Sequence, residues 1–306
     1  ANKVCFYNNF IFPYFLAPFV KLFGININVL KGLMLLLSFL SILIYSKWLE
    51  NILSKKESLY TSLLLLFSPL FIMFADKIMS EMLFLFFLCL SFYIFEIGQG
   101  AKKGLINFPL FAIVYLLIFT RIVGIALLFS LIFLSLKRKN KTQLLLWLLL
   151  LCLVVLSIVF IQSKVDPEDK YYHIRYFLAK DPFAPEEGTV TIRDLTKRIS
   201  LNMAFYLKNI GKATITPSLP YSIFFLLLVI SGMLTSPFQN KDLRISFCLI
   251  YSLQILIWPW RDERFLLPLL PILLLYFYLG MKFLLKNSSL LIKKLLYLIF
   301  LSSIIC

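Results

Sequence analysis

Ten apolar runs follow one another along the chain, at 28–46, 59–75, 78–97, 106–120, 122–136, 143–162, 221–236, 245–260, 265–285 and 290–306. The hydrocarbon core of a bilayer takes about 20 apolar residues per helix. Several runs meet that length, and the pairs 59–97 and 106–136 each read as a tight hairpin or include a partly inserted helix. Composition agrees: 61% of the 306 residues are hydrophobic and only 15% are charged. Soluble domains run near half apolar and about a quarter charged. The mean hydropathy is +0.90, so no water-soluble core could hide this much apolar surface. The expectation is an all-α polytopic membrane protein, one transmembrane domain over residues 1–306, with about nine to ten spans.

The net charge of +16 does not point to nucleic acid. Lys and Arg sit in short clusters between apolar runs, the pattern that orients membrane proteins. One alternating set of connections carries Lys47, Lys55 and Lys56, then Lys102 and Lys103, Lys137 to Lys141, Lys241 and Arg244, and Lys282 to Lys294. The other set carries Lys77, Arg121, Arg261 and Arg264, with Lys3, Lys21 and Lys31 near the start. The richer set is expected to be cytoplasmic. The sequons "NKT" at 140 and "NSS" at 287 fall on that side and read as chance matches. Five scattered cysteines and a single histidine, His173, indicate neither a disulfide framework nor a metal cluster.

One connection is long. Residues 163–220 lie on the poorer, outer side. The first half is rich in turn formers. The second half opens with "TIRD" at 191–194, a capping box with Asp in place of Glu. Leu195, Ile199, Met203, Tyr206 and Ile210 then make one apolar stripe flanked by Arg193, Lys197, Arg198, Lys208 and Lys212. This predicts an amphipathic helix on the membrane surface, with or without a functional role.

Charges at membrane depth cost roughly 2.5–3.5 kcal/mol each on insertion, so those on the outer side are candidates. Within "FADKIMSEMLFLFF", Asp76 sits at a hairpin tip and Glu81 one turn into the next span. Five residues on a helix turn through about 140°, so the two acids do not share a face. Lys77 and Glu81, at i and i+4, do. Asp76 and Glu81 are thus either a base or metal ligand facing an outer cavity, or a cap and an ion pair with Lys77. Arg121 in "FTRIVGIALLF" stands alone between two apolar runs, as a snorkelling arginine or an anion site. In "WPWRDERFLLPLLP", Arg261 and Arg264 share a face if helical, and Pro268 and Pro271 would kink the next span. Two guanidiniums at one interface suit a phosphate at headgroup depth.

These segments resemble the C-type superfamily of integral membrane glycosyltransferases, in its bacterial protein-mannosyltransferase-like and aminoarabinose-transferase-like branch. The resemblance rests on "NNFIFPYFLAPFVKLFG" (8–24), "SPLFIMFADKIMSEMLFLFFLCLSFY" (68–93), "FTRIVGIALLFSLI" (119–132) and "WPWRDERFLLPLLPILLLY" (258–276), in the family's order. It implies a helical bundle roofed by juxtamembrane helices, in the bacterial cytoplasmic membrane. It further implies transfer of a sugar from a polyprenyl-phosphate donor on the extracytoplasmic side. On that pattern Glu81 matches the family's second acidic position, Arg121 the middle arginine and Arg264 the late one; with the candidates read from the residues, Glu81 and Asp76 are the expected catalytic acids and Arg121, Arg261, Arg264 and Lys77 the expected donor-binding residues. Some relatives use a divalent ion and others none. The acceptor could be a lipid, a protein or a glycan. The family's main catalytic Asp lies in the first outer loop, whereas no acid precedes Glu50 here. The expectation is a span and its acid upstream of residue 1, or an inactive member. A flippase of a lipid-linked saccharide and a non-catalytic membrane scaffold are the competing readings. A transporter would favour inverted repeats and broken mid-membrane helices, and the sequence shows neither.

Overall fold

The computed structural model describes residues 10–100, 107–164, 177–181, 184–236 and 242–287. His173, Lys102, Lys103, Lys241 and the expected last span at 290–306 lie outside the described residues. Among those described, regular structure is helical apart from one two-stranded hairpin.

Local signals account for most helix starts. After α1 (Ile11–Phe23), the Asn26 side chain accepts the first free N–H groups of α2 (Ile27–Leu49). A Ser54–Glu57 capping box opens α3 (Lys55–Leu66). Ser68 and Pro69 open α4 (Pro69–Ala75), which bends 65° away from α3. Proline is tolerated there because the first turn has no internal partner for its N–H. Then come α5 (Ser80–Gly100), α6 (Asn107–Thr120), a 3-10 turn (Ile122–Gly124), α7 (Ile125–Lys137) and α8 (Lys141–Gln162). Strands β1 (Ala179–Asp181) and β2 (Ala184–Thr189) pair antiparallel, where the sequence shows only turn formers. The Thr191–Asp194 capping box begins α9 (Ile192–Thr214), as expected. An 87° bend leads to α10 (Leu219–Thr235). The described residues end with α11 (Leu243–Ile257), a second 3-10 turn (Glu263–Leu266) and α12 (Leu270–Asn287).

Three helices, α2, α5 and α8, are each long and apolar enough to cross a membrane; counting α3–α4 and α9–α10 as broken spans gives up to five. Helices α6, α7 and α11 have 14, 13 and 15 residues. At a 1.5 Å rise they reach roughly 20–23 Å, short of a core about 30 Å thick. Surface chemistry matches the apolar composition. Helix α8 leaves Leu145, Leu149, Leu153, Leu156, Val159 and Phe160 exposed, a face that water would penalise and lipid would not.

Between apolar helices in lipid, close packing replaces the hydrophobic effect as the main attraction. Helices α10 and α12 meet at Gly232 and Gly280, where an added Cβ on either would fall on the other helix's backbone. Helix α2 lies along α5, with Trp48 stacked on Phe92 at 4.9 Å between ring centres. The Tyr45 hydroxyl donates to the Pro271 carbonyl at 2.7 Å, tying α2 to α12.

Ion pairs mark the two ends. Lys282 meets Glu57 at 2.6 Å and Lys47 meets Glu50 at 2.9 Å at one end. The expected inner charges at 47, 55–56, 137–141 and 282 gather there. Arg244, expected in an exposed connection, is instead buried at 3% exposure. Its Nε donates to Asp242 at 2.6 Å, Tyr276 donates to the other Asp242 oxygen at 2.7 Å, and Glu96 lies 3.6 Å from Nη1. The reason is packing: the first turn of α11 docks between α5 and α12, and burial then requires that its charges be matched.

Candidate functional site

The opposite end brings together three distant segments. Glu81 lies in the first turn of α5, where a helix N-terminus favours an acid. Arg121 stands between α6 and the 3-10 turn in extended backbone (φ −152°, ψ 128°), which turns its side chain inward. Gly124 closes that turn, with room for a Cβ only at 3.1 Å from the backbone of Leu117. Arg264 is carried by the 3-10 turn before α12, whose start is fixed by the Asp262 carboxylate accepting from the Arg264 N–H at 2.9 Å.

Glu81 is 2% exposed and Arg121 7%. Arg121 Nη1 lies 3.0 Å from Glu81 Oε1, and Arg264 Nη1 lies 3.9 Å from the same oxygen. The shorter contact is an ion pair by distance without the alignment of a hydrogen bond. Arg264 Nε also approaches Asp262 at 3.1 Å. The Phe265 ring is near both guanidiniums, 5.6 Å from Arg121 and 5.3 Å from Arg264, and Phe84 lies 5.9 Å from Arg121. Within about 6 Å a ring face attracts a cation. Two carboxylates, Glu81 and Asp262, are thus set against two guanidiniums beside two phenylalanine rings. Arg264 is the member open to the outside, with 35% of its side chain exposed.

Polar capacity is left over at this point. Among the described residues, Glu81 Oε2 and the Tyr251 hydroxyl have no hydrogen-bond partner. Tyr251 comes from α11 and is fully buried within electrostatic reach of Glu81, Arg121 and Arg264. Tyr206, from α9, rests against the backbone of Asp262. Burial pushes its phenol up to about 12.

The other expected residues separate from this centre. Lys77 does not pair with Glu81: residues 76–79 form a turn, α5 begins only at Ser80, and the i, i+4 relation is lost. Lys77 instead lies over the Phe74 ring at 4.8 Å. Asp76 follows the last residue of α4, is exposed, and meets Lys31 at 2.8 Å. Arg261 and Arg264 share no helical face, because residues 258–262 are irregular; Arg261 is exposed while Arg264 turns in. Pro271 does not kink a span but stands in the first turn of α12, and Pro268 precedes it.

Two contributors escaped sequence reasoning. Phe265 and Tyr251 read as ordinary apolar residues, and only their partners reveal them. The aromatic pair flanking Pro259 was visible: Trp258 packs 6.2 Å from both Trp260 and Phe265 and shields the turn. Among the described residues, no three His, Cys, Asp or Glu side chains come together as metal ligands. What the site presents is a pair of guanidiniums backed by a buried carboxylate, with Arg264 at the opening. In comparisons with known proteins the chain matches no family model, no curated protein and no solved structure.

Proposed function

We propose that the chain is a membrane glycosyltransferase that moves a sugar from a polyprenyl-phosphate donor to an acceptor on the extracytoplasmic side. The observation that carries this reading is the convergence of Glu81, Arg121 and Arg264 from three distant segments onto one aromatic-lined point at a bundle end. The resemblance of the four sequence motifs supports it independently. On this reading the short helices complete spans with their adjoining turns: Ile122–Lys137 and Glu263–Asn287 each run on from a 3-10 turn. The lysine-rich end is cytoplasmic.

Transfer requires the lipid phosphate to leave as the acceptor oxygen attacks the anomeric carbon. A guanidinium offers two parallel N–H bonds to such an oxyanion. We assign that role to Arg264, the partly exposed member of the cluster. Arg121, nine-tenths buried, adds positive potential from behind. Glu81 is the counter-ion that holds both, since burial keeps an acceptor hydroxyl from it. Asp76 is an exposed carboxylate of this end, and an exposed pair such as the one with Lys31 is worth only about 0–1 kcal/mol. In this reading it is the base to which the acceptor hydroxyl gives its proton.

The test is Arg264→Lys, read as affinity for a polyprenyl-phosphate sugar in nanodiscs with stability recorded alongside. Lysine snorkels as well as arginine but gives a point charge instead of a fork. The clamp predicts binding weakened by about 1–3 kcal/mol at unchanged stability. Arg261→Lys leaves binding near wild type, because Arg261 lies outside the cluster. Wild-type affinity in Arg264→Lys would favour the scaffold reading, in which the buried pair only holds helices together.

A further inference from the structure

The segment that carries Arg264 has little regular structure of its own. Between the end of α11 at Ile257 and the 3-10 turn at Glu263, the chain runs through Trp258, Pro259, Trp260, Arg261 and Asp262 without helix or strand. Something else must fix where the turn, and hence the guanidinium, lies. The last carbonyls of α11 pose a related problem, because a helix end leaves them without internal partners.

Both are met from α9. Asn202 is 1% exposed. Its Nδ2 donates to the carbonyls of Leu256 and Trp258 at 2.8 Å each and lies 3.4 Å from that of Ile255. One side chain thus closes the end of α11 and holds the first residue of the irregular segment. The same helix makes three more contacts. Arg198, one turn earlier, donates to the carbonyls of Phe177 and Ala179 at 3.0 and 2.7 Å. Phe177 in turn packs 5.8 Å from Trp258. Tyr206, one turn later, rests against Asp262, and Lys212 meets Glu263 at 2.7 Å. Along α9 the contacts at 202, 206 and 212 therefore grip successive points of the chain from 255 to 263, and Arg198 braces Phe177 beside them. Asn202 and Tyr206 are buried together with Ile210 of the expected stripe, Lys212 stays exposed, and Met203 of that stripe points outward at 48% exposure.

We infer that Asn202 is a positioning residue: through it the roof helix sets the place of the Arg264 turn, and so the geometry of the anion-binding edge. The inference rests, for its functional half, on the lipid-phosphate reading above. Its structural half stands alone. Asparagine is the fitting residue because the three facing atoms are all acceptors and its short, neutral amide carries two N–H donors where a hydroxyl carries one. An aspartate there would place a carboxylate against three carbonyl oxygens. A helix that merely covered the bundle would need no buried amide.

The experiment compares wild type with Asn202→Ala, Asn202→Asp and Arg264→Ala in nanodiscs. Backbone amide exchange is followed across residues 258–267, with α2 and α5 as internal references, and binding is measured with decaprenyl phosphate. Asn202→Ala is expected to speed exchange in 258–267 ten-fold or more, to leave α2 and α5 protected, and to weaken probe binding at least five-fold. Asn202→Asp should be worse on both. Should Asn202→Ala fail to fold, Lys212→Ala, at a half-exposed position, should still speed exchange at 263–267 two- to three-fold. Unchanged exchange in both variants overturns the inference. Faster exchange with wild-type probe affinity overturns its functional half and makes Asn202 only the cap of α11. Wild-type affinity in Arg264→Ala sinks the lipid-phosphate reading itself, and the exchange data then decide the positioning role separately.

Discussion

Replacing Glu81 with glutamine removes one negative charge and almost no volume, so its effect is electrostatic. Oε1 lies 3.0 Å from Arg121 and 3.9 Å from Arg264, in a place where Glu81 is 2% exposed. At an effective dielectric of about 20 the two attractions are roughly 5 and 4 kcal/mol. Most of that is offset by the desolvation of the three groups, so the pair by itself is not a large source of stability. Removing one member is different, because it leaves the buried Arg121 without its counter-charge. Such losses run to about 3–5 kcal/mol. Glu81→Gln is therefore expected to destabilise by that amount, and Arg121→Gln similarly, since it strands the carboxylate. The double change should recover much of the loss, with a coupling of about 2 kcal/mol or more between the sites. Lys77→Ala should stay within about 0.5 kcal/mol, as an exposed residue away from the pair. The assay is an unfolding titration with SDS in mixed micelles, run as a double-mutant cycle. Additivity of the two changes within about 0.5 kcal/mol would refute the reasoning, as would a Lys77→Ala loss equal to that of Glu81→Gln.

Cysteine placed at Lys208 and at Lys139 should be labelled from opposite sides of a sealed vesicle, and labelling of both from one side would end the assignment of bundle ends. At the α10–α12 crossing, Gly232→Ala forces a Cβ onto the backbone near Tyr276, so a loss of about 1–3 kcal/mol is expected; an unchanged unfolding midpoint would show the crossing to be looser. The Tyr206 phenol is raised to about 12 by burial, above its unfolded value near 10. Its contribution is whole below pH ~10 and is lost as pH rises toward the folded value, because the unfolded chain ionises first. Tyr206→Phe should flatten that alkaline loss of stability, and identical alkaline profiles for the two proteins would contradict the buried placement.

By itself the sequence determined what depends on neighbours along the chain. The runs of apolar residues fixed the helical class, because only a helix satisfies its own backbone in a medium without water. Capping residues fixed the starts of α3 and α9, since the hydrogen bonds at Ser54–Glu57 and Thr191–Asp194 close within four residues. Alternation of lysine clusters anticipated which connections share an end. Three site residues were also legible, Glu81, Arg121 and Arg264, because charge inside an apolar run is conspicuous wherever the chain goes. Their partners were not. The i, i+4 rule offered Lys77 to Glu81 and Arg261 to Arg264, and both offers presume a helix that the turns at 76–79 and 258–262 interrupt. Only the tertiary structure could hand Glu81 to an arginine 40 residues on, bury Arg244 against Asp242 and Tyr276, and set Asn202 against carbonyls more than 50 residues away. The physical reason is range: a helix cap or an apolar run is decided within a few residues, whereas the partner of a buried charge is decided by which helices pack together, and the apolar faces that pack them are too much alike in sequence to say.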